Sequence, residues 1–232
     1  MARLTRLAVA GHAHLLLLRG HGGQPVFRDD VDRAAFLSAL EAAASAEQVA
    51  IHAYALLPER VWLLGTPAST PGLGRAVQVL GRRFSAGFNR RHRRSGSVWD
   101  GRYRSTVIEP GPAVLEAMVH VDQAPVRAGI SSAALAARWS SARQHAGLSS
   151  EFSLTDAPAY WSLGNTPFDR CSAYRGLVEE PLGAERVASL EAAVSRCRVV
   201  ASPEFLEVLQ ARTSRPLIAR PRGRPRRQGQ RS

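Results

Sequence analysis

The sequence predicts an α+β domain built on an antiparallel sheet, and three observations carry that expectation. First, two apolar runs with strand alternation flank the pair Pro58-Glu59. Ile51, Ala53, Ala55 and Leu57 share one parity there, and His52, Tyr54 and Leu56 share the other. After the turn, Val61 and Leu63 face one way and Arg60, Trp62 and Leu64 the other, as two adjacent strands require. Second, apolar residues recur at helical spacing in Phe36, Leu40 and Ala44, and again in Leu73, Val77, Leu80, Phe84 and Phe88. Third, two more β-compatible runs, 12–18 and 103–108, lie outside those helices.

Taken in order, residues 1–9 are a short lead, and the run 12–18 is a first strand closed by Arg19-Gly20. A helix over 29–47 follows, with Asp29 as its cap and Asp32 three residues on, a weak capping box. The paired strands come next, and then a helix over 71–92. Its apolar stripe lies roughly opposite Arg75, Arg82, Arg83 and Arg90. Arginines continue through Arg91, Arg93 and Arg94 to Arg102 and Arg104, and from Arg82 to Arg104 the only acid is Asp100. A solvated helix face and a phosphate-contacting surface both fit this run; its density favours the second.

The run 103–108 is the last strand. A helix over 112–123 opens on proline, which the first turn tolerates, and Pro125 ends it. Beyond residue 131 the texture becomes Ala-rich. Residues 133–145 and 185–198 read as helices, with 149–166 a mixed loop, and Ser202-Pro203 opens a further helix packed through Phe205, Leu206 and Leu209. The tail 215–232 is rich in Arg, Pro and Gly and has no apolar face, the composition of a segment disordered when free. The expected division is 1–130, a helical extension 131–214, and the tail 215–232.

Composition narrows the partner. The chain has 232 residues, 45% of them apolar, and a net charge of +12. All 31 basic residues are arginine. Such an excess favours a polyanion, nucleic acid first. Cys171 and Cys197 lie far apart with no CxxC or His spacing, so reduced cytosolic thiols are expected and not a zinc site. The apolar run 15–18 is too short for a signal-peptide core or a membrane span. A cytoplasmic protein with no membrane partner, favoured as a monomer, is the expectation.

Several ordered blocks, spread from about Gly11 to Pro225, resemble the REP-associated tyrosine transposases, a family of single-tyrosine transposases. Tyr54, Leu56, Pro58, Val61, Leu63 and Leu64 fit its "Y-x-L-M-P-N-H-V-H-L-L" segment. Gly11, His14, Arg19, Gly20 and Phe27 fit its opening block, although His21, Gly22 and Gly23 replace a polar "N-N-R". Trp99, Gly101, Arg102, Tyr103 and Arg104 fit "W-E-G-R-Y/F-R". Pro125, Val126, Arg127, Ala128 and Gly129 fit "N-P-V-R-A-G", and Trp139, Ser140 and Ser141 fit "W-S-S". The resemblance implies a ferredoxin-like α+β transposase domain with a central antiparallel sheet and helices on one side, plus a C-terminal helical extension. It implies single-stranded DNA near a hairpin as the partner.

The family cleaves DNA with a tyrosine nucleophile and a divalent metal such as Mg²⁺ or Mn²⁺, held by two histidines and an asparagine. Here the histidine positions are Arg60 and Trp62, the asparagine position is Ala124, and the tyrosine position is His120. Arginine offers no lone pair and tryptophan only a donor N–H. The expectation is therefore a transposase-like DNA-binding protein with no metal cofactor, no metal ligands and no cleavage. The alternative is a rearranged site using His120, Tyr54 or Tyr103 as nucleophile. Trp62 either stacks on unpaired bases or plugs the emptied metal pocket. The expected DNA contacts are Arg19, Arg82, Arg83, Arg90, Arg91, Arg93, Arg94, Arg102, Arg104 and Arg127, with Arg222 and Arg224 in a tail whose Pro221-Arg222-Gly223-Arg224-Pro225 resembles an AT-hook core. Insertion into an A·T minor groove and unspecific phosphate attraction both fit that tail.

Overall fold

The computed structural model describes residues 6–213 and Leu217. The chain runs β1 (His14–Arg19), α1 (Asp30–Ala46), β2 (Val49–Leu57), β3 (Arg60–Pro67), α2 (Gly72–Arg91), β4 (Arg104–Val107). The strands pair antiparallel in the order β2-β3-β1-β4. A β-α-β-β-α-β chain with this strand order is ferredoxin-like. There follow α3 (Pro112–Asp122), α4 (Ala124–Arg127), α5 (Ala142–His145), α6 (Pro158–Trp161), α7 (Pro167–Glu179), α8 (Ala184–Arg196) and α9 (Pro203–Ala211). The tail 215–232, with Arg222, Arg224 and the AT-hook-like stretch, lies outside the described residues apart from Leu217.

Both sheet faces are covered, which corrects the expectation of helices on one side. Leu16, Leu18, Val61 and Leu63 pack with Phe36 of α1 and Leu80, Phe84 and Phe88 of α2. Leu15, Leu17, Trp62 and Leu64 pack on the other face with Met118 of α3, Tyr174 of α7 and Leu190 of α8. The cause is in β1: its four consecutive leucines alternate faces, so each face is apolar and each needs a cover. Residues between Ala134 and Val194 therefore share a core with the sheet.

Local differences have local causes. A bulge between Ile51 and Ala53 shifts the register of β2 against β3 and moves Ile51 to the face of Tyr54 and Leu56. The Asp29 carboxylate caps α1 by accepting from Asp32 N, but the Asp32 carboxylate accepts from Arg28 N and not from the cap residue, so the box is displaced by one residue. Pro125 does not end the helical path: α3 stops at Asp122 and the chain re-enters a turn, α4, with Pro125 in its first turn. Residues 133–145 are not one helix, because Trp139–Ser141 lies along the edge of β2. Leu56 N donates to Trp139 O at 2.9 Å and Ser141 N to Tyr54 O at 3.0 Å, which covers an otherwise open sheet edge. The stretch 149–166, expected as a loop, contains α6, and α7 follows it where no helix was expected.

Candidate nucleic-acid interface

The alternation of β3 and the turn from α3 into α4 bring three of the four family site positions to one place. Trp62, His120 and Ala124 all lie in the cluster on the α3 face of the sheet. The His120 ring stands edge-on to the Trp62 indole, 4.9 Å between centroids with planes at 90°. His120 is fully buried, and neither ring nitrogen has a hydrogen-bond partner. Burial pushes its pKa down to about 3, and the Arg127 charge acts in the same direction. Trp62 is 3% exposed, so its ring is core and not a stacking platform. Arg60 stands apart at the hairpin, paired with Glu59 at 2.7 Å. Glu116, which shares the helix face of His120, pairs with Arg186 and ties α3 to α8.

A divalent metal does not fit these residues. A guanidinium, an indole and a methyl group offer no ligand lone pair, and the imidazole is sealed among apolar side chains. Among the described residues, no three His, Cys, Asp or Glu side chains gather as a metal-holding group. The other named nucleophile candidates are Tyr54 and Tyr103. Tyr54 is buried against Phe152, and burial pushes its hydroxyl up to about 12. Burial also raises the Tyr103 hydroxyl.

Sequence reasoning missed a polar network beside this junction. Asp122 has no exposed surface. Its carboxylate accepts from His145 Nδ1 at 2.7 Å, from the Tyr174 hydroxyl at 2.7 Å and from the Ser141 hydroxyl. His145 Nε2 meets the carbonyl of His52 at 2.8 Å, and His52 itself reaches Thr155 O and Thr66 Oγ1. These bonds fasten α3, α5 and α7 to β2. A lone Asp in an apolar helix was the available signal, since such an acid must find partners when buried. His14 is a strand histidine inside the protein: Nδ1 donates to His12 O, Nε2 accepts from Val9 N, and burial lowers its pKa to about 4.

The arginines divide into engaged and open. Arg91 is held by Asp29 and Asp32, which joins the end of α2 to the start of α1, and His92 donates to the same Asp32. Arg104 donates to Ser195 O, Arg94 donates to Ser97 O at 3.2 Å, and Arg127 donates to His120 O at 2.5 Å. Arg19, Arg82, Arg83, Arg90, Arg93 and Arg102 have exposed side chains. Three of these, Arg19, Arg82 and Arg102, converge with Arg6 around a cleft of about 550 Å³ walled by Trp99 and Tyr103. Arg83, Arg90 and Arg91 flank a second depression, of about 420 Å³, between α1 and α2.

Backbone bonds shape the first cleft. His21 N donates to Val98 O and Asp100 N to Arg19 O, pinning the segment 97–103 to the end of β1. Gly101, at φ +63°, makes the turn that a side chain would strain. The cleft is lined by Leu18 and Val77, which belong to the face beneath α1 and α2. It therefore lies across the sheet from Trp62 and His120.

No family model and no curated protein matches the chain. Among solved structures, one of a REP-associated tyrosine transposase bound to a REP hairpin is similar, with 14% identity and a TM-score of 0.55 over 68% of this chain and 96% of that one. A candidate transposase from Deinococcus radiodurans R1 is similar more loosely, with 18% identity and a TM-score of 0.36 over 56% of this chain and 92% of that one. The first likeness shows that this chain has the REP-associated tyrosine transposase fold.

Proposed function

We propose that this protein binds single-stranded DNA carrying a hairpin and leaves its phosphodiester bonds intact. One observation carries the reading: Arg19, Arg82 and Arg102, from a strand end, a helix and a loop, converge on one cleft walled by aromatic rings. Guanidinium groups position phosphates, and aromatic rings stack on unpaired bases. The likeness in fold to a transposase solved with a hairpin supports the choice of nucleic acid. The depression flanked by Arg83 and Arg90 gives the duplex stem a second basic surface.

The chemistry at the family's catalytic positions supports binding without cleavage. A metal would polarise the scissile phosphate as a Lewis acid, but the residues here do not fit one. His120 holds its lone pair among apolar side chains, out of reach of a phosphate. Binding then rests on open arginines on the opposite face of the sheet.

Fluorescence anisotropy on a hairpin with a single-stranded flank, across a salt series, tests this. Four to six neutralised phosphates give a slope of log affinity against log salt of about −3 to −4 for single strands. Changing Arg19, Arg82 and Arg102 together to Ala is expected to make the slope shallower by about 2. Equal affinity and equal slope for the variant and the wild type would show that these arginines are only solvated.

A further inference from the structure

We propose that the cleft between α2 and the segment 97–103 is a subsite for one unpaired nucleotide, stacked against its aromatic wall; this rests on the DNA-binding reading above. Its volume, about 550 Å³, falls in the roughly 300–1,000 Å³ range of small-ligand sites. A duplex stem needs only a basic surface. A walled cleft with cations at its rim suits a base inserted inside and phosphates held outside.

The walls are fixed before any ligand arrives. The Trp99 ring packs inward against Phe36 and Phe84, with centroids at 6.0 and 5.7 Å. Tyr103 is held beneath the Arg6 guanidinium, 4.1 Å from its ring centroid, and Arg6 Nε also donates to the Tyr103 carbonyl. Rings held this way lose little freedom when a base stacks on them. α2 borders the same cleft through Gly74, Gly81 and Ser85. Glycine within a helix is unfavourable, and packing does not demand it at Gly81: an added Cβ meets nothing nearer than Trp99 Cδ1 and Nε1, at 3.8 Å. At Gly74 the nearest atom is the Tyr103 hydroxyl, at 3.9 Å. Side chains at these positions would narrow the cleft. The Trp99 Nε1–H at this wall is buried without an acceptor.

The test separates cleft from charge. Gly81→Leu keeps every arginine, gains helix propensity and fills the cleft. Binding is measured for a bare hairpin and for the same hairpin with a short single-stranded flank carrying 2-aminopurine. The wild type is expected to bind the flanked DNA at least tenfold more tightly and to quench the 2-aminopurine. Gly81→Leu is expected to lose the preference for the flanked DNA and the quenching of 2-aminopurine. A wild type that binds both DNAs equally, or leaves 2-aminopurine unquenched, overturns the subsite while leaving DNA binding standing. Full flank preference in Gly81→Leu overturns it as well. A wild type that binds neither DNA at low salt overturns the DNA-binding reading, and the subsite with it.

Discussion

The ring of His120 meets the indole of Trp62 edge-on at 4.9 Å, and both of its nitrogens lack partners. A polar ring held this way costs stability, because buried donors and acceptors without partners forfeit their hydration. His120→Phe removes two such atoms and is expected to hold stability at neutral pH to within about 1 kcal/mol. Urea denaturation checks this, and a loss of several kcal/mol would mean that the imidazole makes a bond essential to the fold.

The same burial predicts an acid-sensitive fold. His120 and His14 have folded pKa values of about 3 and about 4, against an ordinary 6.5. Both are lowered, so the unfolded chain binds more protons below 6.5. Their contribution is complete above that pH and is lost as pH falls toward 4 and 3. At pH 5 each accounts for about 2 kcal/mol of lost stability. The urea midpoint should fall between pH 7 and pH 5, and fall less in His120→Phe. Equal falls in the variant and the wild type would remove His120 from the explanation.

Asp122 is expected to be among the least replaceable residues. Asp122→Ala leaves His145, Tyr174 and Ser141 without their shared acceptor, at a cost of about 3–5 kcal/mol. Thermal unfolding would show it, and a shift of only a degree or two would reduce the network to a minor feature.

Arg91 separates fold from binding. Its guanidinium joins α2 to α1 through Asp29 and Asp32. Arg91→Ala should lower stability modestly, since the pair is solvated, while Arg82→Ala should leave stability unchanged and weaken DNA binding. The opposite pattern in paired melting and anisotropy measurements would reverse the assignment.

These cases mark what the sequence made legible. The paired strands around Pro58-Glu59, the α2 stripe and the Ser202 cap were readable because each depends on local periodicity or one side chain. The bulge at Ile51/Ala53 was not, because it depends on how β2 registers against β3. Trp139–Ser141 read as helix from its Ala-rich flanks, but pairing with β2 outweighed propensity. The start of α7 is marked locally by its capping box, Thr166 with Asp169 and Pro167 between. A run of arginines does not say which are paired: Arg91 and Arg82 differ only through the tertiary placement of Asp29 and Asp32.

Titration with Mn²⁺ examines the substituted ligand positions. Calorimetry should show no saturable site in the micromolar range. A one-to-one site abolished by changing His120 or Glu116 would revive a rearranged metal centre.

Binding without cleavage can be read from one set of samples. Purified protein is incubated with 5′-labelled hairpin-bearing single-stranded DNA and Mg²⁺ or Mn²⁺, then run on native and denaturing gels. The expected result is a shifted band on the native gel, with full-length, unattached DNA on the denaturing gel. A shortened strand, or DNA covalently attached to the protein and lost in His120→Ala, would contradict the account.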